Sequence, residues 1–405
     1  MNSLPAHPSF VDSSGPAVTV RLPPPAPAGG KPRQGWLLFL LMAVAGAAFG
    51  YFGAKFAAQL LLPADGGRVV KLLLLAAVPF VWLFTVGWHE LGHLLGGRLA
   101  GGRFLLFIIG PFQWQRSPAG IRFSWNRRIN LAGGMAACLP LDQHNLPRRF
   151  ALMIAGGPVA SLVLVVFAAW VAAAFASGGQ VLAQHVAMLT ALLSGIIFVV
   201  TVIPGEAGGL RTDGRRLLNL LGEDATARQE AALLSLTVAG LNGTRPADYA
   251  VTWLEAAIAA NPGSLHTLYG HFSAYLHHAD RGEHRRAQRH LDEVMTGEAC
   301  LPPFMRNMAR AEYAWLLAAT RADAAAARAW LETAGPTDLD PSARLRAEAA
   351  VLLAEGRPAE AAAKAQEGLE AVDHGSLALV RSEFAADALQ AIINEYAQTG
   401  VAPPR

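Results

Sequence analysis

The chain is expected to be mainly α-helical: a polytopic membrane bundle of about four transmembrane helices, followed by a soluble α-helical repeat region. Three observations carry this expectation. Four apolar runs between Trp36 and Ile203 each approach the ~20 residues that cross a hydrocarbon core. Only 16% of the 405 residues are charged and the mean hydropathy is +0.31, whereas soluble domains carry about a quarter charged residues. From about Ala225 onward no further apolar run occurs, and the composition turns alanine-rich and charged. The domain boundaries that follow are a tail over 1–35, a membrane domain over 36–222 and a helical domain over 223–405.

Residues 1–35 contain Pro23-Pro24-Pro25, Pro27 and Gly29-Gly30 with little apolar content to bury, so a disordered tail is expected there. The segment lacks the short apolar core and small-residue cleavage site of a signal peptide. Lys31 and Arg33 stand just before the first run, which places the N-terminus in the cytoplasm. The four runs are about Trp36–Leu62, Lys71–Leu99, Phe150–Ala176 and Val181–Ile203. The first two are joined by a short connection, Pro63 to Val70, with Asp65-Gly66-Gly67 as its turn. The end of the second run and the loop after it hold Arg98, Arg103, Arg116, Arg122, Arg127, Arg128, Arg148 and Arg149. Positive charge marks the cytoplasmic side, so this loop and both termini are expected inside, in agreement with an even number of spans. The localisation expected is integral and multi-pass, in a bacterial inner membrane.

Within that loop, Arg103 to Trp114 and Gly120 to Trp125 are runs of Phe, Leu, Ile and Trp separated by Ser117-Pro118-Ala119-Gly120. They read either as a β-hairpin with a Pro/Gly turn or as an interfacial loop whose aromatics sit at headgroup level. A hairpin there presents an edge on which an extended substrate can add as a strand. In the third run, Gly156-Gly157-Pro158 interrupts the helix; small residues permit close helix approach, and the proline frees one backbone group.

The chemistry centres on Trp88-His89-Glu90-Leu91-Gly92-His93. On a helix, His89 and His93 lie on one face a turn apart, where two imidazole nitrogens can grip zinc. Glu90 between them can take a proton from a water held there, the general-base role in metal-assisted hydrolysis. Ionisable side chains inside a span are costly and mark function, which argues against three of them serving packing alone. A catalytic zinc needs a third protein ligand and an open position. Asp213 fits best, in the sequence Thr212-Asp213-Gly214 after the fourth run, because Gly214 permits a tight turn that aims the carboxylate back toward the bundle. The competing role for Asp213 is N-cap of a helix Arg215–Leu221. Glu206, Asp142 and His144 are competing ligands without a matching turn or span.

These residues together resemble the site-2 protease family of intramembrane zinc metalloproteases. The resemblance covers roughly residues 70–220: His89-Glu90-Leu91-Gly92-His93 matches the zinc-binding helix, Gly157-Pro158 the Gly-Pro motif of the second core helix, and Asp213-Gly214 the Asp-Gly motif. It implies hydrolysis of peptide bonds in or beside transmembrane segments of membrane-protein substrates, with Zn2+ on His89, His93 and Asp213 and Glu90 as base. A re-entrant β-hairpin after the first core helix is also part of what the family implies for residues 103–125. Where the family often has asparagines that support substrate or transition state, this chain has Ser161 and Thr201. Gly157, Pro158, Ser161 and Thr201 are therefore the expected substrate-supporting positions. The spacer from Pro204 to Asp213 is longer than the common form, and Thr212 replaces a usual Leu. No stretch resembles an inserted PDZ domain.

The C-terminal region shows weak self-similarity when Gly282, Ala322 and Gly356 are aligned, with Ala287, Ala327 and Ala361 five residues later. Expected helices Leu268–His278, Ala311–Ala319 and Leu345–Ala354 precede these positions. Such units resemble tetratricopeptide repeats, whose concave surface binds partner peptides. His277, His278, His284 and His290 read as solvated helix positions. Cys138 and Cys300 are too far apart in sequence to argue a disulfide framework or a Cys-rich zinc site. The net charge of +3, with no basic tract interleaved with aromatics, excludes a nucleic-acid reader. The partners expected are a membrane-protein substrate, the lipid bilayer and a protein on the helical domain. Two other functional readings remain from sequence: an inactive relative that binds without cutting, and a membrane-anchored helical scaffold.

Overall fold

A computed structural model describes residues 18–24, 67–117, 120–126, 133–207, 210–337, 340–374 and 382–398. The first expected span, Trp36–Leu62, lies outside them. The chain divides into two compact units, one of Pro25–Leu141 with Arg148–Leu221, the other of Met1–Pro24, Asp142–Pro147 and Gly222–Arg405.

Among the described residues, the first unit is built on three helices long and apolar enough to cross a membrane: α1 Arg68–Leu99, α2 Leu146–Ser177 and α3 Val181–Val202. They fall where the second, third and fourth apolar runs were expected, α1 and α2 starting a few residues early. Pro79 and Pro158 are accommodated within α1 and α2. Many of their large apolar side chains point outward, with Phe80, Val166, Trp170 and Val200 all exposed, while Thr85, His89, Glu90, Ser161 and Ser194 are buried inside. That inside-out distribution suits a hydrocarbon surround and associates the unit with a membrane.

Glycines set the distance between α1 and α2. A Cβ on Gly92 would overlap the Gly156 carbonyl, and one on Gly156 would overlap the Gly92 carbonyl. The two backbones therefore touch, as small-residue faces allow in lipid. Trp88 Nε1 locks the register by donating to Ala160 O at 2.8 Å.

The hairpin expected after α1 is part of a larger antiparallel sheet: β1 Gly102–Ile109, β2 Phe112–Ser117, β3 Gly120–Trp125 and β4 Met135–Pro140, in spatial order β3-β2-β1-β4. The run Arg103–Trp114, read as one arm, is split at Gly110, whose φ of +53° makes a turn that glycine accepts. Pairs such as Phe107 with Trp114 and Trp114 with Phe123 set the register. Ring centroids of Trp114 and Phe123 lie 5.5 Å apart, so the aromatics form a cross-strand ladder. The sheet packs on α1, with Ile109 against Gly87 and Cys138 against Gly97.

After α3 the spacer closes into a two-stranded hairpin, β5 Glu206–Ala207 with β6 Leu210–Arg211, which leads into α4 Asp213–Leu221. The added length of the spacer is thus taken up by backbone pairing. Thr212 ties its base: the hydroxyl donates to Ile203 O at 2.8 Å and accepts from Gly205 N at 3.0 Å.

The second unit is helical: α5 Ala225–Leu241, α6 Val251–Ile258, α7 Leu265–Asp280, α8 His284–Thr296, α9 Pro303–Ala319, α10 Ala324–Thr333, α11 Pro341–Ala354, α12 Pro358–His374 and α13 Glu383–Gln398. The pairs α7/α8, α9/α10 and α11/α12 are helical hairpins, and each turn carries a left-handed residue, Gly282, Arg321 or Gly356. Ala287, Ala327 and Ala361, one in the second helix of each hairpin, are fully buried. The middle turn has one residue more than the other two, so its left-handed position is Arg321 rather than the aligned Ala322. At the centre, Arg346 pairs with Glu312 at 2.5 Å, Tyr275 donates to Glu312 at 2.6 Å, and the guanidinium lies against the rings of both Trp315 and Phe384.

Two sequence expectations change in this unit. Residues 18–24, assigned to a free tail, run extended along α8 and α10, with Val18 buried in the helical core. The histidines are not independently solvated: His271 and His290 meet Nδ1 to Nδ1 at 3.0 Å, His278 stacks on His290, and His277 is buried. Burial, then the charges of His271 and His278, push His290 down to about 4.

Two outcomes follow. Gly156→Ala is expected to destabilise the membrane unit by about 1–3 kcal/mol through overpacking, read as a lower melting temperature in detergent. Gly195→Ala, whose nearest neighbour would lie an ordinary 3.7 Å away, should be neutral. Because the folded His290 value lies below the unfolded 6.5, its stabilising contribution is complete above that pH and is lost as pH falls toward 4. After discounting for solvent screening this is worth about 1–2 kcal/mol. The fall in melting temperature between pH 6.5 and 4.5 should shrink in His290→Gln.

Candidate metal centre

The candidate centre is assembled by helix spacing on one side and a loop return on the other. His89 and His93, four residues apart on α1, bring their rings edge to face with centroids 4.7 Å apart. Asp213, the first residue of α4, comes back to them because the β5/β6 hairpin and Thr212 close the spacer. Gly214 contributes by close approach rather than by a turn: a Cβ there would overlap the carbonyl of Val202.

Three candidate donor atoms converge. His93 Nε2 lies 3.1 Å from His89 Nε2, and Asp213 Oδ2 lies 3.3 Å from His89 Nε2 and 3.4 Å from His93 Nε2. Tetrahedral zinc with bonds of about 2.0–2.1 Å requires ligand atoms roughly 3.3 Å apart. The triangle therefore fits one face of a zinc tetrahedron and leaves the fourth vertex free. Among the described residues, His89, His93 and Asp213 are the one group placed to hold a metal ion. Two neutral imidazoles and one carboxylate are also a donor set zinc accepts.

The far nitrogens of both rings are fixed. His93 Nδ1 donates to Met153 O at 3.0 Å, so its Nε2 carries the free lone pair. His89 Nδ1 shares a hydrogen bond of 2.9 Å with Ser161 Oγ, and Ser194 Oγ donates to Ser161 O at 2.9 Å. Both serines are fully buried. Such outer partners set ring orientation and ligand basicity.

Each expected residue has a place. Gly157 is the position against which the His93 ring lies, and a Cβ there would overlap it. Pro158 sits within α2 one helical turn before Ser161. Ser161, expected to support substrate, spends its hydroxyl on His89. Thr201 is half-buried and donates within α3 to Phe198 O at 3.2 Å. Glu90 is buried on α1, and Gly134 lies so close that a Cβ would stand 2.7 Å from Glu90 Oε1. Asp142 accepts from the His144 backbone N–H at 2.9 Å in a turn of its own, and Glu206 contributes its backbone to β5.

Ser194, the Met153 carbonyl and Gly134 were not identified from sequence. Gly134 had a signal, the Gly133-Gly134 pair before a short apolar run, while Ser194 in an apolar helix had none. No protein-family model, curated protein or solved structure matches this chain.

Ser161→Ala is expected to weaken zinc binding by about 10–100-fold with the helices intact, measured by competition against a chromophoric chelator. Thr201→Ser should leave the affinity unchanged.

Proposed function

We propose that this chain is a membrane-embedded zinc metalloprotease of the site-2 protease kind, cutting membrane proteins in or beside their transmembrane segments. The observation that carries the reading is the convergence of His89, His93 and Asp213 beside Glu90, inside helices whose outer surface is apolar. Soluble hydrolases have no need of such a surround. The resemblance of the three motifs, each on or beside its own helix, adds to it.

In this reading His89, His93 and Asp213 hold the zinc. The ion supplies Lewis-acid polarisation of a carbonyl and acidification of water at that point. Glu90 accepts the proton of the attacking water and returns it to the leaving amine nitrogen, so the acid–base cycle closes on one carboxyl group. Ser161, Ser194 and the Met153 carbonyl keep the imidazoles oriented through the reaction.

The peptide must be extended to be cut, since a helical peptide bond is shielded by its own hydrogen bonds. Among the described residues β3 stands at one end of the sheet order, beside β2, with its side chains exposed, a position that suits addition of an extended substrate strand. An apolar cleft of about 780 Å³ lined by Phe84, Leu164, Phe167, Val186 and Thr190 lies among the helices and suits an apolar segment. None of the metal-centre side chains lines it, so the cleft supports seating of a helix rather than chemistry. The placement that accompanies the reading is a multi-pass protein of a bacterial inner membrane with both termini cytoplasmic. The helical unit is then a tetratricopeptide-like domain for a protein partner.

The test is metal content and cleavage of a model transmembrane peptide by the purified protein in detergent. The parent should hold about one zinc per chain. Glu90→Gln should keep the metal while cleavage falls by roughly 10²–10⁴-fold, and Asp213→Ala should lose both. A parent that binds no zinc sinks the protease reading and leaves a membrane-anchored binding protein.

A further inference from the structure

The helical unit holds a second constellation, independent of the hydrolytic reading. Gln288 and Asp292 lie one turn apart on α8, Tyr313 stands on α9 and Trp330 on α10. Gln288, Tyr313 and Trp330 are almost wholly buried. Tyr313 ties them together: its hydroxyl donates to Asp292 at 2.8 Å, accepts from Gln288 Nε2 at 3.3 Å, and its ring stacks on Trp330 with centroids 4.4 Å apart. The cradle is therefore pre-organised by its own contacts.

What it faces is an extended backbone. Gln288 accepts from Thr19 N at 2.9 Å and donates to Thr19 O at 2.5 Å, so one amide side chain reads both polar groups of one residue as a neighbouring strand would. Trp330 Nε1 donates to Arg21 O at 2.6 Å. Residues 19 and 21 show the same edge because an extended chain repeats every two residues. Two side chains add specificity: Val18 is buried among the helices, and Arg21 reaches Asp292 at 3.4 Å. Thr19, Val20 and Leu22 are exposed and add no selection.

We infer that this groove is a peptide-reading site and that residues 18–24 are its tethered ligand, a segment whose pattern is a β-branched aliphatic residue followed three positions later by arginine. Main-chain recognition by Gln288 and Trp330 supplies attachment to any extended peptide, while the Val18 seat and Asp292 select the sequence. Tethering gives the segment a high effective concentration, so it fills the groove in cis. Its mostly exposed side chains make it displaceable without disturbing the helices. A segment of a protein partner with the same pattern competes for the same seat.

The experiment uses the full-length protein in detergent and a fluorescently labelled peptide, Val-Thr-Val-Arg-Leu-Pro-Pro, followed by anisotropy. Opening the groove with the double change Val18→Asp and Arg21→Glu should strengthen peptide binding at least tenfold over the parent. In that opened chain, Asp292→Arg should weaken this peptide at least fivefold and favour a peptide carrying Glu in place of Arg. Glu90→Gln in the opened chain should leave peptide affinity unchanged, which separates this inference from the hydrolytic one. Equal binding to parent and opened chain, no binding to either, or an affinity indifferent to the charge exchange overturns the inference.

Discussion

The contact on which the membrane unit depends is the backbone approach of α1 and α2 at Gly92 and Gly156. One turn to one side lie Trp88 on Ala160 O and His89 on Ser161; on the other, His93 meets Met153 O and Gly96 meets Leu152. Every one of these needs the helix axes closer than side chains larger than hydrogen allow. Widening the pair would lengthen both hydrogen bonds that orient the imidazoles at once. The glycines therefore act on the imidazoles through distance, since neither of them touches a ring.

Electrostatics explains why the centre is built as it is. Two imidazoles, two carboxyl groups and several hydroxyls lie within a bundle whose outer face is Phe, Val and Trp. A carboxylate in such surroundings is costly unless a positive charge answers it. A dication held among His89, His93 and Asp213 would answer the Asp213 carboxylate directly. The candidate anionic ligand, Asp213, comes from the start of α4, beyond the end of α3, rather than from mid-span. Hydrated backbone around the β5/β6 hairpin is compatible with that position in a way it would not be deeper in lipid.

Much of this was legible in the sequence, for identifiable reasons. Run length located α1, α2 and α3, and fixed four-residue spacing brought His89 and His93 together, because both follow from local geometry alone. Asp213 was legible through its glycine, although Gly214 turned out to serve helix contact. The sheet was half read. Continuous Phe, Ile and Trp concealed the turn at Gly110, and Met-Ala-Ala-Cys-Leu-Pro carries no alternation that announces a strand. Its pairing with β1 spans some thirty residues and is a tertiary fact. Ser161 was noticed for its place in a motif, but its hydrogen bond to His89 depends on helix register. Proline-rich composition suggested a free tail, since nothing near Thr19 foretells a glutamine 269 positions away.

The helical unit divides its contacts into permanent and exchangeable ones. Arg346 and Glu312 are both buried, and their pair is enclosed by Trp315, Phe384 and the Tyr275 hydroxyl, joining α7, α9, α11 and α13. Removing either partner would strand a buried charge at a cost of about 3–5 kcal/mol, so these helices hold one arrangement. Residues 18–24 contribute one buried valine, a few main-chain hydrogen bonds and one exposed ion pair worth about 0–1 kcal/mol. Ordering the segment costs backbone entropy at every residue, which opposes what those few contacts return. The helices can therefore keep their shape whether the segment is bound or free. A rigid receptor with a marginally held ligand is the physical condition for exchange.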